Sequence, residues 1–296
     1  MKNQRVLGLL LAVGAYISWG LLVWYWHLLA HVPSTEVFSY RIVFTVLAMG
    51  IYFLVTRQTK RLKTELVALI ADKKSRVLSL VASLFLGANW LVFIYSVSIH
   101  QATEASIANF IMPLVQILLA LIFLHEHLDR PSVVAIVLAF IGVAVMIVLN
   151  GSFPILIAVM SVCFPIYGLL KKFYRLSSDV AMIQESLVLL PFVVLYLLFF
   201  TGHSFFEYDW VTQLLLAASG PITAVPLLLF AEAIKRANFS VVGFIQYLNP
   251  TISLLISVTV LGEVMTQGEF YSVLFIVAGV LIFIVGQVLT LRRRMV

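Results

Sequence analysis

The sequence predicts an all-α polytopic membrane protein: ten transmembrane helices in two inverted five-helix repeats around a central cavity, with both termini inside. Three observations predict it. The chain divides into ten long apolar runs; 18 of its 19 Lys and Arg residues fall between those runs on one side; and the fourth and ninth runs repeat one polar pattern.

Hydrophobic residues make up 62% of the 296 residues, charged residues 11%, and the mean hydropathy is +1.10. A soluble domain of this length would expose far more apolar surface than one core could bury. Hydrocarbon tolerates such a composition, and a helix needs about 20 predominantly apolar residues to cross it. The net charge of +6 therefore reads as loop charge facing an anionic leaflet, not as a nucleic-acid footprint. A single cysteine, Cys163, inside an apolar run excludes an intrachain disulfide and a cysteine metal cluster. Lys2 and Arg5 resemble the start of a signal peptide. The apolar run after them is too long for one and lacks a convincing cleavage site, so it reads as an uncleaved first span.

The runs cover approximately 6–28, 36–56, 77–98, 104–124, 131–149, 153–170, 180–200, 211–233, 240–261 and 270–290. With the N-terminus inside, the inner segments hold Lys2 and Arg5, seven cations within 57–76, Arg130, three within 171–175, Lys235 with Arg236, and three within 292–294. The outer loops 29–35, 99–103, 150–152, 201–210 and 262–269 hold none. Cytoplasmic loops are the ones enriched in Lys and Arg, so both termini are expected inside. The segment 57–76 reads either as a short interfacial helix around 62–70, with Arg61, Lys63 and Glu65 toward water, or as a solvated loop.

At an offset of 137 residues, Asn109, Pro113, Gln116 and Ala120 correspond to Gln246, Pro250, Ser253 and Ser257, and Glu126 corresponds to Glu263. More weakly, Trp19-Gly20-Leu21-Leu22 corresponds to Tyr167-Gly168-Leu169-Leu170. Each half, 1–150 and 151–296, thus holds five spans. Five is odd, so the second half enters the bilayer from the opposite side, and a pseudo-two-fold axis lies in the membrane plane. Inverted halves supply two equivalent rocking states, which favours transport over a duplication kept for packing alone.

Proline has no N–H and displaces the carbonyl four residues earlier, here those of Asn109 and Gln246. The matched positions follow i, i+4, i+7, i+11 spacing, so each set forms one stripe along its helix. Free carbonyls and amides at membrane depth need a protein partner or a watery cavity. Either the stripes face each other across a central cavity, with Pro113 and Pro250 kinking their helices near the middle, or the amides bond neighbouring helices.

Several stretches carry a family resemblance. In the first half they are Tyr40-Arg41, the run Gly87-Ala-Asn-Trp-Leu-Val-Phe-Ile-Tyr95, Glu104-Ala-Ser followed by Asn109-Phe-Ile-Met-Pro113, and Phe123-Leu-His-Glu126. In the second they are Tyr167-Gly-Leu-Leu-Lys-Lys172, Glu185 with Leu189-Leu-Pro191, Pro226-Leu-Leu, and Gly243-Phe-Ile-Gln-Tyr-Leu-Asn-Pro-Thr251. The chain resembles the RarD-type branch of the EamA transporters, in the drug/metabolite transporter superfamily, over nearly its whole length. The resemblance implies ten helices in two inverted halves, a cavity lined chiefly by helices 1, 3, 4, 6, 8 and 9, and export as the direction. The branch is linked by name to chloramphenicol sensitivity, and no particular substrate follows.

Among individual residues, Arg41 lies about six residues, roughly 8–9 Å, inside the outer end of helix 2. A cation at depth is costly and nominates a function. It either snorkels outward beside Glu36, pairs with Glu104, or binds a substrate carboxylate or phosphate. Glu185 is its inverted counterpart, about six residues inside the inner end of helix 7; their depths differ by roughly 12–15 Å in a core of about 30 Å, which argues against a direct bridge. Glu185 is expected to meet Lys235 or Arg236, or to titrate as a proton site. Glu232 precedes Arg236 by four residues and reads as an interfacial pair or a second coupling site. Asn89 and Trp90 are cavity candidates, Trp90 by packing or by ligand stacking. Trp19 and Tyr167 are expected as aromatic walls, and Trp24, Tyr25 and Trp26 as an interfacial belt. His125 and His127 point to different helix faces and make a poor metal site, while His27, His31, His100 and His203 suit solvated outer ends. No catalytic triad and no phosphate-binding glycine loop is present, which argues against an enzyme and an ATP-driven pump.

The expected function is secondary transport of a small metabolite or drug-like compound across the inner membrane, with lipid as the surroundings and no cofactor. Asn89, Asn109, Gln116, Gln246 and Asn249 would supply hydrogen bonds, Trp19, Trp90, Tyr167 and Tyr247 walls, and Arg41 an anion contact. Pro113 and Pro250 would set kinks, and Glu185 with Glu232 would couple protons. A non-transporting scaffold or sensor on the same fold is the rival.

Overall fold

The computed structural model describes residues 2–98, 102–151, 155–202, 204–260, 262 and 267–293. Its helices are α1 (Lys2–Leu28), α2 (Ser34–Val55), α3 (Thr59–Ala71), α4 (Lys73–Ser98), α5 (Ala102–Phe123), α6 (Arg130–Asn150), α7 (Ile155–Leu170), α8 (Ser178–Phe199), α9 (Trp210–Arg236), α10 (Phe239–Ile245), α11 (Leu248–Thr259) and α12 (Gln267–Arg293). No strand occurs among the described residues. Among the described residues, seven helical segments are long and apolar enough to cross a membrane, and three shorter apolar ones, Ala108–Phe123, Ala158–Leu170 and Phe270–Phe283, lie within α5, α7 and α12. Large apolar side chains stand outward, among them Leu54, Phe140, Val148 and Phe199. Such patches on a soluble monomer would be an interaction surface or a liability; in lipid they are the solvated face. The chain is an all-helical, multi-pass membrane protein.

Polar residues set the helix ends. Asp129 accepts the Ser132 N–H at 3.1 Å and starts α6, with Pro131 in its first turn; Gly151, at φ +74°, ends it. Asp209 accepts the N–H groups of Val211 and Thr212 at the start of α9. The Thr212 hydroxyl and amide hold the Asp209 carboxyl below its usual pKa.

The segment after α2 is helical, not a solvated loop. On α3, Leu69 is buried while Leu62 and Leu66 pack against the core. Glu65 on α3 accepts both the Ser177 N–H (2.8 Å) and the Ser177 hydroxyl (2.7 Å), and Arg61 pairs with Asp179. These contacts clasp α3 to the first turn of α8.

The main core joins α1, α4, α7, α8 and α9 through Tyr16, Leu86, Phe164, Tyr167, Ile183 and Phe230. Around it α2 packs on α8 and α9, α5 on α7 and α10, α1 on α11, and α6 on α12. Small residues let backbones approach. A Cβ at Gly220 of α9 would lie 2.4 Å from the Thr45 nitrogen of α2, so this crossing tolerates only glycine.

The two proline-bearing helices differ from expectation. The expected mid-helix kinks were alike, yet α5 runs unbroken through Pro113 whereas the ninth run breaks at Gln246–Tyr247 into α10 and α11. Pro250 therefore sits in the first turn of α11, where a missing N–H leaves no helical bond unmade. The Gln246 carbonyl is not left free: it accepts the Asn249 N–H at 3.0 Å.

Candidate functional site: a cavity between a lone cation and a buried ion pair

A narrow cavity of about 10 Å³, room for about one water, lies between α2, α4, α8 and α9, with Arg41, Thr45, Trp90, Glu185, Ser186 and Thr223 among its walls. Sequence reasoning expected helices 1, 3, 4, 6, 8 and 9 to line the space. Of these the third and eighth runs wall the observed cavity, joined by the second and seventh. The crossing of α2 on α9 at Gly220 brings the second run inward, which hydropathy does not register.

Arg41 reaches this cavity from α2. Its guanidinium carbon is 3.9 Å from the centroid of the Trp90 ring and 5.3 Å from that of Phe38. Nε and Nη2 are buried with no hydrogen-bond partner among the described residues. Glu36 does not serve it, because Glu36 accepts the Tyr208 hydroxyl at 2.6 Å. The side chain of Glu104 lies outside the described residues. Stacking on an aromatic ring supplies about 2 kcal/mol when desolvated, whereas burying an ion costs several kcal/mol. The stacking alone leaves a deficit that an anion would meet.

Glu185 stands on the α8 wall and has the opposite surroundings. Lys171 Nζ lies 2.6 Å from one carboxylate oxygen, and the Tyr167 hydroxyl donates to the other at 3.0 Å. Lys171 also donates to the Tyr167 oxygen at 3.0 Å. The lysine and glutamate side chains are 4% and 1% exposed. This corrects the expected partners Lys235 and Arg236. Lys171 follows Tyr167 by one helical turn, so it stacks over the ring on the side facing α8; sequence reasoning had counted it as a loop cation. No Arg41–Glu185 bridge forms, although the two line one cavity. Glu232 belongs to the surface: it pairs with Arg236 and with Lys235 (3.2 Å) and accepts the Ser178 hydroxyl.

The amide stripes do not line the cavity. Asn89 donates to the Met160 carbonyl of α7 at 3.0 Å, and Gln116 to the Phe239 carbonyl at 3.0 Å. Asn249 accepts from Ser253 at 3.4 Å, and Asn109 is half-buried on α5. Gln116 Oε1, Gln246 Oε1 and the Tyr247 hydroxyl are buried without a hydrogen-bond partner among the described residues. Neither Trp19 nor Tyr167 is a cavity wall. Trp19 packs with Tyr16, Phe164 and Phe230 at centroid distances of 5.4, 5.7 and 5.9 Å, and Tyr167 is fully buried in the same cluster. Both belong to the aromatic core that holds α1, α7 and α9 together.

Glu126 is a residue whose task sequence reasoning missed. It accepts the N–H groups of Phe239 (2.7 Å) and Ser240 (3.0 Å) and the Ser240 hydroxyl (2.5 Å), capping α10 from the end of α5. Its place just after a proline-bearing helix was the available signal. Its repeat partner Glu263 lies outside the described residues. No grouping of His, Cys, Asp and Glu suited to a metal occurs among the described residues.

The sequence profile of the EamA-like transporter family matches residues 6–148 and again 151–285. "Protein RarD" of Escherichia coli (strain K12) is 35% identical over 294 residues, covering 98% of each chain. "Uncharacterized transporter YojE" of Bacillus subtilis (strain 168) is 36% identical over 284 residues, 95% of this chain and 94% of that one. A solved crystal structure only 17% identical shares the fold, with a TM-score of 0.74 over 98% of this chain and 99% of that chain. The class is thus a multi-pass membrane transporter, with a small-molecule substrate and a lipid environment. The chain belongs to the EamA-like transporter family, as a RarD-type member within the drug/metabolite transporter superfamily.

Proposed function

We propose that the chain is a secondary transporter of the inner membrane that exports a small metabolite or drug-like compound by alternating access. In this reading α1, α2, α4, α5 and α6 are the five spans of 1–150, and α7, α8, α9, α10 with α11, and α12 are those of 151–296, inverted. The observation that carries the reading is the cavity, walled by two neighbouring spans from each half and holding a guanidinium two of whose nitrogens lack partners among the described residues. Exchanging the halves maps the helix packing onto itself: α1 on α9 answers to α4 on α7, α5 on α7 to α11 on α1, and α2 on α9 to α4 on α8. The twofold match of one family profile supports the same repeat. Contacts of Arg236 with Gln4, Arg61 with Asp179 and Lys235 with Ser178 gather cation-bearing segments at one end, which supports the N-terminus inside.

Arg41 and Trp90 hold the anionic and planar parts of the substrate. The unsatisfied Gln116, Gln246 and Tyr247 groups, with Asn89, Asn109 and Asn249, become substrate-facing as the halves rock about the break before Pro250 and the continuous helix at Pro113. Trp19 and Tyr167 support that movement from the core. Of the two coupling candidates Glu185 is better placed than Glu232, since it is buried and reaches the cavity.

Proteoliposomes loaded with a broad metabolite and drug panel test the reading by counterflow. Saturable exchange of at least one compound, lost in Arg41→Ala, is expected. An absence of exchange by folded protein across the whole panel would count decisively toward the scaffold alternative.

A further inference from the structure

A wider cleft of about 550 Å³ opens where the cation-bearing segments meet, between α3, the α7–α8 connection and the end of α9. Lys171, Lys172, Arg175 and Lys235 line it, against one acid, Glu65. Glu65 is already engaged by both Ser177 donors. The acids that serve the lysines stand outside the lining: Glu185 is 2.6 Å from Lys171, Glu232 3.2 Å from Lys235 and Glu126 4.0 Å from Lys172. Each ammonium has three donors. Glu185 and Tyr167 occupy two on Lys171, and Glu232 and Ser178 two on Lys235, so each keeps one. Arg175 is exposed to the cleft with its fork of donors.

Tyr174 is the independent sign of a ligand. The residue is 6% exposed, it lines the cleft, and its hydroxyl is buried without a hydrogen-bond partner among the described residues. Burying a hydroxyl unpaired is costly, and buried polar groups are nearly always satisfied. Burial also raises the Tyr174 pKa, which keeps the phenol a donor, and lowers those of Lys171 and Lys172. An anion would offset both deficits.

We infer that this cleft is a phosphate-binding site, in which Tyr174, Lys171, Lys172, Lys235 and Arg175 hold the phosphate of a small organic molecule or of a lipid headgroup. A phosphate offers three terminal oxygens and up to two negative charges, which matches four cations and a phenol better than a monoanionic carboxylate does. The site deepens the transport reading and rests on it for its role. Lys171 faces the cleft, and its partner Glu185 faces the Arg41 cavity, so their ion pair is the partition between the two spaces. A phosphate drawing Lys171 toward the cleft would loosen that partition.

The test uses full-length protein in nanodiscs of phosphatidylcholine, titrated with inorganic phosphate against sodium chloride of equal ionic strength. Phosphate is expected to raise the thermal midpoint saturably. Tyr174→Phe and Arg175→Gln should each weaken the apparent affinity by about tenfold, while Lys63→Gln, an exposed α3 cation outside the cleft, should not. Tyr174→Phe removes one oxygen, and its midpoint without phosphate reports whether it folds. Nanodiscs containing phosphatidylglycerol separate the sources. A lipid occupant would raise the wild-type midpoint, fail to do so in Arg175→Gln, and suppress the phosphate response; a free phosphate ligand would leave that response intact. A wild-type midpoint indifferent to both phosphate and phosphatidylglycerol, or equal shifts in the cleft variants, overturns the inference. Counterflow by such a protein would leave the transport reading standing, whereas phosphate binding without counterflow would sink that reading alone.

Discussion

Arg41 and Glu185 are the two charges that their halves carry about six residues in from a helix end, and the fold treats them in opposite ways. Glu185 is met by an ammonium and a phenol within 3.0 Å. Arg41 rests on the face of Trp90 with two nitrogens unpaired. A buried charge with its partners in place locks helices together, here α7 to α8. A buried charge without them is held ready for something that arrives. One cavity contains both, and in the proposed reading Arg41 is the part that binds and the Lys171–Glu185 pair the part that closes.

The comparison breaks most visibly at Arg41. Arg41→Ala should abolish transport while leaving membrane insertion intact and the unfolding midpoint no lower, because the burial cost it removes outweighs the ring stacking it loses. Flux at the wild-type rate would reduce Arg41 to an anchor. Next in size, Lys171→Met leaves Glu185 buried and unpaired and should cost about 3–5 kcal/mol in detergent-micelle unfolding. The double variant Lys171→Met/Glu185→Leu should recover most of that loss; failure to recover it would mean the pair contributes more than mutual neutralisation. Glu126→Gln should cost about 1–2 kcal/mol, since it weakens a charged cap on α10, and should speed hydrogen exchange at the Phe239 and Ser240 amides. Smallest of all, Glu232→Gln should change stability by about 0.5 kcal/mol, as expected of a half-exposed pair. A flattened pH dependence of flux in that variant, and not in Glu185→Gln, would move proton coupling from the cavity to the surface.

The repeat helices show how far local reading carries. Pro113 and Pro250 occupy matched positions, and sequence reasoning assigned them matched kinks. In the fold α5 stays whole, while its counterpart breaks at Gln246–Tyr247. Gly243 explains part of the difference: its missing Cβ lets α10 approach the Pro113 carbonyl and Gln116, with a Cβ there only 3.3 Å from both. Glu126 then caps the start of α10. None of these contacts is local, so no period or spacing announces them. The amides Asn89 and Gln116 were legible as groups needing partners, but their acceptors on α7 and α10 were not. Arg41 was legible as a costly cation, because hydrocarbon makes any lone charge conspicuous. The Lys171 pairing was not, because a lysine at a helix end reads as loop charge until a neighbouring helix covers it.

By itself the sequence determined that the chain crosses the membrane repeatedly, that it carries a RarD-type pattern, and that Arg41 is an exception among its cations. The first and last follow from run length and composition, which a bilayer about 30 Å thick reads locally; the RarD-type pattern is a resemblance carried by particular motifs. The tertiary structure alone decided which runs wall the cavity, which buried charge is satisfied, and where the ninth run breaks. Partner choice depends on how closely helices approach, and that is settled by packing at positions such as Gly220 and Gly243, far apart in the chain.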